Sequence, residues 1–350
     1  MATIKQIAEL THVSAATVSC VLNGRQGAAG PRKVQEILAV AEKLNYTANS
    51  FARQLQRGRS NSIGIITEDL TVFNTPEIVD GLQACCMKNG YEVILANMRL
   101  FKQFGNNFID TPAHHILLDN VLKNLLAKQV EGVVYVGYHC RELVYVPQKL
   151  SIPLAFAYCY PVGNVYPSVL MDDEKAGYDI TSCLLAQGHT RIGVVSGPIN
   201  SYHTHARLIG YQNALFDHHI LYDAELVMSG DWERASGYHF ASVLLGAGCT
   251  AVFAFNDIMA AGVYDWCKDH HLRPGYDIAI FGFDNNAISR FYEPQISTAE
   301  LPLNNIGRKC AEIVIERIKG SDTAGQTLLP CVIHQRESTK GLVTERKAEI

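Results

Sequence analysis

The stretch SIGIIT, residues 62–67, is where the chain changes character. It is short and apolar without a break, so it reads as a strand buried on both faces; a half-exposed strand would alternate. Runs of similar length follow, with helical segments between them. The order is 76–89, YEVILAN (91–97), 115–128, EGVVYVG (131–137), 141–150 and IPLAFAY (152–158). The series resumes with RIGVVSG (191–197), 203–218, 232–246, TAVFAFN (250–256), 257–270 and YDIAIFGFD (276–284). Val/Ile/Leu-rich strands alternating with helices predict parallel sheets covered on both faces, and the run is long enough for two doubly wound units. Two such units facing each other enclose a cleft at the carboxyl ends of their strands, where sheets of this kind bind ligands.

Upstream of residue 62 the period is helical. Thr3 with Gln6 forms a capping box ahead of Ile4, Ile7, Ala8 and Leu10. THVS (11–14) breaks that helix, and His12 tolerates the left-handed conformation of a tight turn. Ser14 caps a second helix with Val18, Val21 and Leu22 inside; a third, from Arg32 to Leu44, places Val34, Ile37, Leu38, Ala41 and Leu44 on one side. Some forty residues bury little surface, so this is a small headpiece.

Charge separates the same two parts. The chain of 350 residues carries −4 overall, but residues 1–60 hold eight Lys/Arg against three acids, leaving −9 on the rest. A basic head on an acidic body points to a polyanion contact at the head; a solvated charged face is the plainer alternative. Cys85 and Cys86 are adjacent, the other eight cysteines are scattered and no Cys-x-x-Cys occurs, so all ten read as reduced core residues. With no signal-peptide pattern and no long apolar run, a cytoplasmic protein without a membrane partner is expected.

Cap, turn and inner-face positions agree on a helix–turn–helix whose second helix presents Ala15, Ala16, Ser19 and Cys20 outward. A three-helix protein-interaction module is the alternative. In the connector NSFARQLQRGRSNS (49–62), Phe51, Ala52 and Leu55 form an apolar stripe beside Arg53, Arg57 and Arg59. Two turns of helix are unstable alone, so this segment folds against a twin subunit, a DNA groove or both, or stays a solvated linker.

Catalytic patterns are thin. The His pairs at 114/115, 218/219 and 270/271 cannot share a helix face, and His203-x-His205 lacks an acid or Cys at ligand spacing. SGPINS (196–201) is neither a nucleophile elbow nor a phosphate loop, and DDE (172–174) suits a helix start. No enzyme, metal site or cofactor is expected. Strand ends are richer: Asn256-Asp257, Asp284-Asn285, GDW (230–232) and Arg207 set polar groups about an indole, as a sugar requires. Taken singly each is a helix cap, Asp257 above all.

Together MATIKQIAEL…VSAATVSCVLNG, KLNYTANSFARQLQRGRSNSIGII, GHTRIGVVSGP, FNDIMAAGV and FGFDN, in this order from residue 2 to about 340, resemble the LacI/GalR family of transcriptional regulators. The resemblance implies a small all-α helix–turn–helix headpiece (1–46), a hinge helix that forms on operator DNA (47–61) and a periplasmic-binding-protein-like α/β core (62–340). In that core the N-subdomain is expected at about 62–160 and 290–320, and the C-subdomain at about 161–289 and 321–340. It implies a homodimer on a near-palindromic double-stranded operator, released or recruited by a small effector. Carried over residue by residue, Ala15, Ala16 and Cys20 read bases; Ser14, Thr17, Ser19, Asn23 and Tyr46 dock the headpiece; Leu55 wedges the minor groove beside Ala52. Arg207, Trp232, Asn256 and Asp284 match effector contacts, with Phe73 and Tyr158 lining the pocket.

This chain also departs from the family pattern. The base-reading triple has no side chain able to make a bidentate contact, the loop GRQGAAGPRK (24–33) is short, and the third helix lacks the usual Ser cap. Ala48 replaces a proline before the hinge, and Tyr158 stands where sugar-responsive members commonly carry Asp. The segment 99–115 is longer than the family's loop and reads as a surface insertion, with a lid over the cleft as the alternative. The expected function is an effector-responsive repressor of carbohydrate-utilisation genes whose effector is a sugar or glycoside. A purine- or nucleoside-responsive regulator and a solute-binding receptor are the alternatives.

Overall fold

The computed structural model describes residues 2–25, 27–46, 59–105, 111–147, 150–322 and 324–339, and the chain divides into two compact units, Met1–Ser60 and Asn61–Ile350.

The first unit contains α1 (Ile4–Leu10), α2 (Ala15–Leu22) and α3 (Pro31–Lys43). The capping box at α1 is complete: Gln6 N donates to Thr3 Oγ1 and Thr3 N donates to Gln6 Oε1. His12 takes the expected left-handed backbone, φ 52°. Ser14 Oγ accepts from Thr17 N at 3.0 Å and caps α2. Gly30 stands at the cap of α3 without a side-chain bond, and Pro31 opens that helix where a missing N–H costs nothing. Ile7, Val18 and Ile37 are fully buried around the centre of this small core. Leu38, expected inside, is 48% exposed: Ile37 and Ala41 define the buried line and Leu38 falls one position off it.

The second unit holds two parallel sheets. The six-stranded sheet contains β1 (Ser62–Thr67), β2 (Glu92–Asn97), β3 (Gly132–Val136), β5 (Leu154–Ala157), β7 (Ser168–Met171) and β13 (Gln326–Leu329), in the order β13-β7-β5-β3-β1-β2. β4 (Glu142–Leu143) and β6 (Tyr160–Pro161) pair separately. The four-stranded sheet contains β8 (Ile192–Ser196), β9 (Val227–Ser229), β10 (Ala251–Ala254) and β11 (Ala279–Phe281), in the order β11-β10-β8-β9. β12 (Thr298–Glu300) and β14 (Val332–His334) form an antiparallel pair. SIGIIT is β1, buried at all six positions as its unbroken apolar run requires.

The helices are α4 (Thr75–Lys88), α5 (Leu100–Phe104), α6 (Pro112–Ala127), α7 (Asp173–Ala186), α8 (Tyr202–Asp217), α9 (Arg234–Gly246), α10 (Asp257–Asp269) and α11 (Leu303–Ile318). Three pairs pack backbone to backbone, each through one glycine from either helix: Gly81 with Gly307, Gly177 with Gly210, and Gly237 with Gly262. A β-carbon at any of the six would collide with a carbonyl oxygen of the facing helix.

Two expectations are corrected. β7 and β13, placed by sequence in the C-subdomain, are strands of the first sheet; each binds the other in parallel register, Ser168 opposite Gln326. The crossovers therefore fall at 171–173, 300–303 and 329–332. Residues 141–150 are not a helix where described: β4 pairs with β6 there, and Arg141 is drawn inward by a buried carboxylate. All ten cysteines are free, and no helix among the described residues is long and apolar enough to cross a membrane.

Candidate functional site

The cleft is built where the strands of the two sheets end. Beyond β11, Asp284 takes φ 102° and presents a carboxylate that makes no hydrogen bond among the described residues. Burial pushes its pKa up to about 7; the Arg207 guanidinium pulls it down and Asp173 raises it further.

Arg207, one turn after His203 on α8, is fully enclosed. Its Nε donates to Asp173 Oδ1 at 2.7 Å, Nη1 donates to the Phe255 carbonyl, and the guanidinium carbon lies 3.5 Å from the centroid of the Phe283 ring. Asp173 Oδ2 receives His203 Nδ1 at 2.8 Å. Burial works to raise the Asp173 carboxyl, but His203 and Arg207 together outweigh it and hold the group below its ordinary range. His203 Nε2 is buried without a partner.

Trp232 is held at φ 72°, and Asn256 Nδ2 donates to its carbonyl at 3.0 Å. The indole lies directly on Gly197, where a β-carbon would overlap the ring. Asn256 Oδ1 also accepts from Met259 N at 2.7 Å, so the residue expected to touch effector caps α10 and seats Trp232. Asp257, read as the cap, is instead buried with Oδ2 accepting from Asn286 N at 2.7 Å. Tyr158, at φ 61°, is buried with its ring 5.5 Å from that of His203, and burial holds its hydroxyl pKa well above the ordinary value. Phe73 is 54% exposed on the loop after β1. Thus Tyr158, Arg207, Trp232, Asn256 and Asp284 share the cleft, and Phe73 stands on a loop of the same sheet edge.

Several residues of the wall were not singled out from sequence. Glu68, at the end of β1, is wholly buried and accepts from Arg141 (2.6 and 3.0 Å), Tyr135 Oη (2.5 Å) and Tyr138 N (2.8 Å). His139 Nε2 lies 3.1 Å from Ser201 Oγ, and its ring stands 4.5 Å from His203, bridging the two subdomains. Burial, aided by the charge of His203 and Arg141, lowers its pKa to about 3, so it is neutral at physiological pH. DDE splits in role: Asp172 Oδ1 caps α7 at Lys175 N, 2.9 Å, while Asp173 is the buried partner of Arg207. The position of Asp173 just past a strand end was the available signal; its partner lies 34 residues away, beyond any local spacing rule. The acid near His203-x-His205 is this same Asp173, and no group of three metal-ligating side chains occurs among the described residues.

On the headpiece, Ser14, Ala15 and Ala16 are exposed, while Thr17, Ser19, Cys20, Asn23 and Tyr46 are half-buried. Ser14 Oγ lies 2.9 Å from Thr17 Oγ1, and Asn23 Nδ2 donates to Ser19 Oγ at 3.4 Å. Ala52 and Leu55 lie outside the described residues.

Residues 3–49 match the family of bacterial regulatory proteins known as the lacI family, and residues 181–339 match a periplasmic binding protein-like domain. Catabolite control protein A of Priestia megaterium is 30% identical over 344 residues, covering 97% of this chain and 99% of that protein. The HTH-type transcriptional repressor PurR of Vibrio atlanticus (strain LGP32) is 27% identical over 329 residues, 92% of this chain and 93% of its own. In fold, the chain is similar to the lac repressor dimer bound to operator and the anti-inducer ONPF, with TM-score 0.77 and 24% identity over 97% of this chain and 99% of that one. The chain belongs to the lacI family. It is a DNA-binding, effector-responsive transcriptional repressor rather than an enzyme.

Proposed function

We propose that this repressor controls carbohydrate-utilisation genes, binds a near-palindromic operator as a homodimer, and changes operator affinity when a sugar or glycoside enters the cleft. One observation carries the effector class: beside the seated indole of Trp232, the Asp284 carboxylate and His203 Nε2 are both left without protein partners. Polar groups left unpaired beside an aromatic face suit a ring that turns its hydroxyls to them and its C–H bonds to the indole. Ser14, Thr17, Ser19, Asn23 and Tyr46 position the headpiece, Ala15, Ala16 and Cys20 face base edges, and Ala52 and Leu55 engage the minor groove from the hinge. Alanine methyls contact thymine methyls but form no hydrogen-bond code, so DNA deformability supplies much of the specificity. The ligand acts by binding one arrangement of the two subdomains better than the other.

The test is a gel-shift on genomic fragments near the chain's own gene, with sugars, glycosides and nucleobases in separate lanes. Specific, salt-steep binding that a sugar or glycoside alters supports the reading. A response confined to purines would move the effector to the class that the name of the PurR relative suggests.

A further inference from the structure

We infer, on the reading that the effector meets Asp284, that Asn285, Glu300 and His334 are positioning residues that carry this contact to two of the three crossovers. Asp284 and Asn285 both take left-handed backbone, φ 102° and 51°, which a residue with a β-carbon adopts at a cost. What holds them there is β12. Asp284 N donates to the Ala299 carbonyl at 2.8 Å, and Asn285 N donates to Thr298 Oγ1 at 3.1 Å. The Asn285 side-chain amide spends both ends: Oδ1 accepts from Arg336 Nη2 at 2.6 Å, and Nδ2 donates to Glu300 Oε2 at 2.8 Å.

That oxygen is a junction, because Glu300 Oε2 also accepts from His334 Nε2 at 2.7 Å. Glu300 closes β12, where the crossover 300–303 begins, and His334 closes β14, just past the crossover 329–332. Arg336 secures the other side of Asn285: its Nη1 donates to Ser289 Oγ at 2.9 Å and to the Ile296 carbonyl at 2.8 Å. The remaining crossover, 171–173, ends on Asp173, which is bonded directly to Arg207 and His203. A displacement of residues 284–285 by a bound ligand is therefore passed to Glu300 and, through the same oxygen, to His334. The Glu300 and His334 side chains are 48% and 35% exposed, where an ion pair adds little to folding stability. What the pair contributes is position.

The probes are D-glucose, D-ribose, methyl β-glucoside and methyl β-galactoside. Each is added to gel-shifts of the full-length protein on the genomic fragment that the parent binds, and titrated calorimetrically without DNA. Glu300→Ala is expected to bind the active probe as the parent does, which also shows that the variant is folded. The effect of that probe on operator affinity should shrink about fivefold in the same variant. Glu300→Gln keeps an acceptor for Asn285 Nδ2 and should keep the response; His334→Ala, which frees only one crossover, should fall between. A full response in Glu300→Ala, an equal loss in Glu300→Gln, or a loss of probe affinity in step with the response overturns the assignment and leaves the effector site standing. If no probe acts on the parent, both readings fall.

Discussion

Asp173 Oδ1 and Arg207 Nε meet 2.7 Å apart in the interior, with side chains 0% and 3% exposed, and join a helix start to a residue 34 positions later. Breaking such a pair leaves a buried charge without compensation. Asp173→Asn is therefore expected to cost roughly 3–5 kcal/mol in urea unfolding. Because the folded carboxyl is held below its ordinary value, its contribution is present above the unfolded pKa and fades as pH falls through the folded one. The gap between parent and variant should accordingly close in acid; a gap independent of pH speaks against the pair.

Asp284 has the opposite sign. Its folded pKa stands at about 7 against 3.8 for the free side chain, so between those values the folded state holds a proton that the unfolded state has released. The carboxyl thus lowers stability progressively as pH rises from 4 to 7, and by a constant amount above that. A tenfold change in proton affinity is worth about 1.4 kcal/mol. Asp284→Asn should therefore be a few kcal/mol more stable than the parent at pH 8, an advantage lost near pH 4. Parallel stability curves from pH 4 to 8 would sink this assignment. Ligand binding should be lost in the same variant.

Gly197 is the floor beneath Trp232. Gly197→Ala is expected to lift the indole, shift its fluorescence and abolish the effector response, while operator binding without effector persists. Retained effector affinity at unchanged emission would show that the ring does not need this seat.

In the headpiece, Ser14→Ala removes the α2 cap at a cost of about 1 kcal/mol, read as faster hydrogen exchange of the α2 amides. Cys20→Arg tests base reading on a panel of operators: a new preference at one base pair is expected, and an unaltered profile at every position means that α2 does not read there.

Leu55→Gly should weaken specific binding far more than non-specific binding, because a wedge matters only where DNA is kinked. Equal losses on both DNAs would remove Leu55 from the groove.

The division at Ser62, the alternation of strands and helices and the caps at Thr3 and Ser14 were legible in sequence because each follows from local period or local hydrogen bonding. The three crossovers were not. Whether β7 pairs with β5 or joins the second sheet is decided by partners far along the chain, and SVLM looks the same in either place. Likewise Arg207, Trp232 and Asp284 were visible at strand ends and in motifs, whereas Asn256 turned out to spend both polar atoms within the protein. Asp173 and His203 gain their roles only when α7 and α8 dock, which no spacing encodes.

That docking has a mechanical corollary. Gly81 with Gly307, Gly177 with Gly210 and Gly237 with Gly262 fasten helices so closely that neither partner in a pair can slide without a carbonyl striking a backbone. The first pair belongs to one sheet's layer and the other two to the other's, so each half of the core behaves as a stiff plate. The chain passes between the two plates at 171–173, 300–303 and 329–332, so a ligand that turns one plate against the other is expected to bend the backbone at those three short segments together.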